Sequence, residues 1–148
     1  MMRAMKKMVA ASAACVLVAG LAACGSDEPD GPEVLAGTQE YASVDELGGD
    51  LRERGIDCTP TIDQRSAAFT NAGRCTPDSL GTEMVMGIFT SEDQLDDYKG
   101  TLKFVASTLD ETGYMVVGSN WIVNCSGDQA CAETVSGALG GMTWVTRP

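Results

Sequence analysis

Apolar positions between Ser43 and Thr146 switch between a helical period and a strand period, and each switch marks an element. In "SVDELGGDLRERG" (43–55), Val44, Leu47 and Leu51 share one helical face. Ser43 with Glu46 forms a capping box, and Gly55 suits a helix stop. "IDCTPTI" (56–62) and "SAAFT" (66–70) lean towards strand, separated by the turn-like "DQR" (63–65). "TEMVMGIFT" (82–90) is almost continuously apolar, as in a central strand buried on both faces. A long helix is predicted next, from an N-cap at Ser91 to a stop at Gly113, with Leu95, Tyr98, Leu102, Val105 and Leu109 as its apolar stripe. Glu92 and Asp93 in its first turn suit the helix dipole. "YMVVGSNWIVNC" (114–125) reads as two short strands joined at "GSN". "DQACAETVSGALGG" (128–141) places Cys131, Val135, Ala138 and Leu139 on one helix face, and "MTWVT" (142–146) suits a closing edge strand.

The order helix, three strands, helix, two strands, helix, strand, with hairpin-sized connections, predicts a single small α+β domain over 41–148. Its sheet is expected to be mainly antiparallel, with about three helices on one side. No internal repeat is present.

Upstream, the pattern changes. Arg3, Lys6 and Lys7 precede an uncharged, mostly apolar run from Val9 to Ala23. That run is shorter than the roughly 20 residues needed to span a bilayer core, so it reads as an export signal over 1–23. Its end, Leu21-Ala22-Ala23-Cys24, resembles the lipobox of bacterial lipoproteins. The resemblance implies a diacylglyceryl group on the Cys24 sulfur, cleavage after Ala23, and a membrane partner reached through that anchor on the extracytoplasmic side. Two acyl chains give stable attachment without a spanning segment. Residues 25–40, "GSDEPDGPEVLAGTQE", read as a flexible acidic linker with a reach of roughly 20–24 Å.

Four cysteines follow Cys24: Cys58, Cys75, Cys125 and Cys131. An even number in an exported domain indicates two disulfides. Three connectivities are open, of which the local pairs Cys58–Cys75 and Cys125–Cys131 are favoured because each brackets a turn-rich segment.

Charge narrows the function classes. Residues 24–148 carry all 21 acidic residues but seven of the ten basic ones, so 7 − 21 = −14. Such a surface repels phosphate backbones, which argues against a nucleic-acid partner. The chain has no histidine, which removes His-based triads, general bases and metal sites together. No phosphate-binding loop, nucleophile elbow or calcium loop appears, so neither a cofactor nor a metal is expected. "GALGGM" follows a helix and is a cap; Met84 and Met86 are core filler. Acids Glu92, Asp93, Asp96 and Asp97 fall at a helix start or outer face, where solvation is the ordinary state.

Only the "GSNW" turn offers a candidate contact, through Asn120 and Trp121. Trp121 there is either an aromatic wall for a ligand or a core residue anchored through its indole N–H. With its local disulfides and "G-x-N-W" strand, the domain is loosely similar to small lipoproteins of actinobacteria, a likeness that implies no activity. The leading expectation is a non-catalytic binding or accessory module at the cell envelope, whose partner is an envelope protein or small ligand. The alternative is a small enzyme using carboxylate acid–base chemistry.

Overall fold

A computed structural model describes residues 35–63 and 71–148. The expected signal (1–23), Cys24, the expected linker up to residue 34 and the expected strand "SAAFT" lie outside the described residues. The elements are α1 (Val44–Glu53), β1 (Thr61–Ile62), β2 (Asn71–Cys75), β3 (Met84–Ile88), α2 (Glu92–Leu109), β4 (Gly113–Val117), β5 (Trp121–Asn124), α3 (Gln129–Leu139) and β6 (Met142–Thr146).

Each helix starts on a side-chain cap. Ser43 Oγ accepts from Glu46 N at 3.3 Å, while the Glu46 carboxylate accepts from Ala42 N at 2.8 Å. The same reciprocal arrangement recurs at α2, where Ser91 Oγ accepts from Gln94 N and Gln94 Oε1 accepts from Thr90 N. Asp128 Oδ1 accepts from Cys131 N at 3.0 Å to open α3. A hydrogen bond from the Thr82 hydroxyl and the one from the Cys131 N–H hold the Asp128 carboxyl below the ordinary aspartate range.

The six strands form one sheet in the order β1-β2-β3-β5-β4-β6, every neighbouring pair antiparallel. The small antiparallel α+β domain expected from the pattern is therefore present, with β3 in the sheet interior. Both expected disulfides are formed. Cys58 and Cys75 lie 2.06 Å apart, sulfur to sulfur, tying the segment after α1 to β2. Cys125 and Cys131, at 2.07 Å, tie the end of β5 to the first turn of α3.

The helices do not share one side of the sheet, and here the expectation is corrected. α2 connects β3 to β4 past the intervening β5, and α3 connects β5 to β6 past the intervening β4. The two crossovers move the same way across the sheet but leave from antiparallel strands. If both keep the usual right hand, their helices must fall on opposite faces. They do: α1 and α3 pack against Met84, Met86, Val116 and Val123, while α2 packs against Met115, Val117 and Ile122.

Two boundaries also shift. α2 ends at Leu109 on Asp110, a non-glycine residue in the left-handed region (φ 57°), and Gly113 instead begins β4. Ala106, not Val105 or Leu109, completes its buried stripe; Val105 and Leu109 are exposed. β2, "NAGRC", carried no strand signal and forms through its pairing with β3.

Candidate functional site

The β4–β5 turn closes through Gly118 N donating to Trp121 O at 3.0 Å. A Cβ on Gly118 would stand 1.9 Å from the Trp121 indole, so the glycine and the tryptophan of "GSNW" are one packing unit. Trp121 is fully buried. Its ring meets Tyr41 edge to face at 6.0 Å, and its indole N–H donates to Gln39 O at 3.1 Å. Asn120 uses its carboxamide as a two-sided clamp, accepting from Tyr41 N at 3.0 Å and donating to Tyr41 O at 2.9 Å. Ser119 N donates to Gly37 O at 3.1 Å.

What the turn holds is the chain's own segment 35–42. Gln39 Nε2 donates to Leu139 O at 2.9 Å, and Tyr41 Oη donates to Asp50 Oδ2 at 2.7 Å. Burial, followed by the Asp50 carboxylate, holds the Tyr41 phenol above its ordinary value. Gly140 lets the segment cross the end of α3, because a Cβ there would meet Leu35 O at 2.0 Å. Residues 35–40, ahead of the expected start at 41, thus already make contacts with the domain. The Asn120–Trp121 pair was legible as special, but Trp121 presents no surface to a ligand. The reason is physical: its large apolar ring and single N–H are both satisfied inside.

Beside this strap opens a cleft of about 830 Å³. Its walls are the strap at Glu40–Ala42, the first turns of α2 from Ser91 to Lys99, and the turn Gly118–Asn120, with Met142 at one end. Phe89, Leu95 and Val117 give it an apolar floor; Glu40 and Glu92 stand exposed at its rim. Lys99 is held by Asp96 at 2.5 Å. A smaller cavity of about 200 Å³ lies under the C-terminal half of α2, between Leu102, Ala106 and Met115.

Asn120, half-buried, is the one expected contact residue that reaches the cleft. Asp96 and Asp97 are exposed on α2, outside it. Among the described residues no three His, Cys, Asp or Glu side chains converge as a metal site, and no helix is long and apolar enough to cross a membrane. Of the residues that complete the turn's hydrogen bonding, Gln39 fell inside the expected linker and Tyr41 stood at the expected start of the domain. Tyr41, the first aromatic after a charged stretch, was their only sequence signal. No protein-family model, no curated protein and no solved structure matches the chain.

Proposed function

We propose that this chain is a lipid-anchored, extracytoplasmic binding or accessory module of the cell envelope, attached through Cys24 and recognising its ligand or partner in the cleft beside the Gly118–Asn120 turn. The lipobox-like Leu21-Ala22-Ala23-Cys24 supports the anchor. The cleft carries the binding reading. It joins an apolar floor to a polar rim, a composition suited to recognition. Its walls come from three separate parts of the chain, held by the Asn120 clamp and the capped start of α2. Acid–base catalysis would need a desolvated or paired carboxyl in that cleft. Its acids, Glu40 and Glu92, are exposed instead.

The test places a photo-crosslinking residue at Ser119, an exposed position in the cleft, in cells carrying the full chain. A discrete adduct is expected from position 119, none from exposed Thr108 on α2, and loss of the adduct when Ala42→Trp fills the cleft. Equal adducts from 119 and 108, or an adduct insensitive to Ala42→Trp, would rule out the cleft as the site.

A further inference from the structure

Among the described residues the sheet ends at β6, and none of them pairs with its outer edge. Backbone polarity along this edge follows from the ladder. Tyr114 N and O both bond towards β5, to Ser126 O and Cys125 N. Alternation then turns Gly113, Met115 and Val117 towards β6, onto Thr146, Trp144 and Met142. The N–H and C=O groups of Thr143 and Val145 therefore point away from the sheet, and no partner for them occurs among the described residues. The strand "MTWVT" contains no charge, proline or glycine, so nothing in it blocks a further strand. Met142 is 59 % exposed and Thr143 is exposed.

Two cations stand beside this edge of an acidic molecule. Six basic residues lie among the described ones. Arg54, Arg74 and Lys99 pair with Asp50, Asp63 and Asp96, and Arg52 donates to Cys58 O at 2.6 Å. The remaining two have no carboxylate partner among the described residues, despite the excess of acids, and both flank β6. Lys103 Nζ lies 5.4 Å above the Trp144 ring, and exposed Arg147 directly follows the strand.

We infer that the β6 edge is a docking site for an extended, acidic segment of a partner protein, which adds as a seventh strand on Thr143 and Val145 and sets its carboxylates against Lys103 and Arg147. Backbone bonds of this kind supply affinity, and the flanking charges supply selectivity. A second copy fits less well, because its own edge would bring cations towards cations. This surface meets the cleft only at Met142, so the two readings stand or fall separately.

The test selects peptides from a phage-displayed random heptapeptide library on the full chain held in detergent micelles. Enriched peptides are expected to combine β-branched residues with Asp or Glu. Synthetic copies N-methylated at alternate amides should lose binding. Val145→Pro should abolish binding while circular dichroism stays unchanged, since that N–H serves no internal bond. Lys103→Glu and Arg147→Glu should each weaken binding about two- to fivefold at low salt. A selection that yields no peptides, peptides without acids, or binding indifferent to N-methylation would overturn the inference. So would binding that appears only after residues 25–33 are deleted, or self-association removed by Val145→Pro; the occupant would then be the chain's own linker or a second copy.

Discussion

Gly118 and Asn120 show how much of the "GSNW" turn is committed to packing. A methyl group on Gly118 would collide with the Trp121 indole, an aromatic ring buried on all sides. Gly118→Ala is expected to cost about 1–3 kcal/mol through overpacking, seen as a lower urea midpoint with unchanged slope. Asn120→Ala removes both partners of the Tyr41 backbone at once and should cost a comparable amount, since unpaired buried polar groups are expensive. Asp128 gives a pH-dependent prediction at the same scale. Its folded value lies below the ordinary one, so its stabilising effect is complete above the unfolded value of about 4 and fades as pH falls through the folded value. Asn caps a helix without titrating. The stability of wild type relative to Asp128→Asn should therefore shrink between pH 5 and pH 2 (approximate bounds). A difference that stays constant over that interval would contradict the assignment.

Elements whose signal is local were legible in the sequence. Ser43 and Ser91 announced the starts of α1 and α2, the apolar face of "DQACAETVSGALGG" announced α3, and "TEMVMGIFT" announced the buried β3. β2 was not, because Asn71, Gly73 and Arg74 are poor strand formers and the strand forms through its ladders to β3 and β1. The side taken by α2 was not legible either, since it depends on strand order, which only the long-range pairing of β5 between β3 and β4 determines. The stripe of α2 was misplaced by one position because Ala106, a small residue, packs where the more apolar Val105 was expected. Two predictions belong here. Ser91→Ala should lower stability by about 0.5–2 kcal/mol, with helix loss confined to the start of α2 and read by hydrogen exchange at Leu95. Replacing Cys58 and Cys75 together by serine should cost about 2–4 kcal/mol, because that bridge joins positions 17 apart in sequence and closes a loop that contains β1. Thermal unfolding of the double variant against wild type measures it.

On the scale of the whole molecule, the strap extends the folded domain towards the N-terminus. Residues 35–42 are part of the fold, clamped by Asn120, Trp121 and Leu139. Of the linker expected over residues 25–40, residues 35–40 therefore belong to the fold. The strap is fixed by contacts within residues 35–148, so loss of an acyl group at Cys24 is expected to leave that packing unchanged. Anchoring and stability should therefore separate cleanly. Cys24→Ala is expected to accumulate as precursor or as protein released from the detergent phase, without the mass increment of a diacylglyceryl group. The four remaining cysteines should stay paired, and the unfolding temperature of the purified domain should match wild type. Phase partition, intact mass and calorimetry on the same two preparations decide it. An alanine variant that matures normally and still partitions with membranes would refute the lipid anchor. A variant that releases but unfolds at a clearly lower temperature would show instead that the segment ahead of Leu35 belongs to the fold.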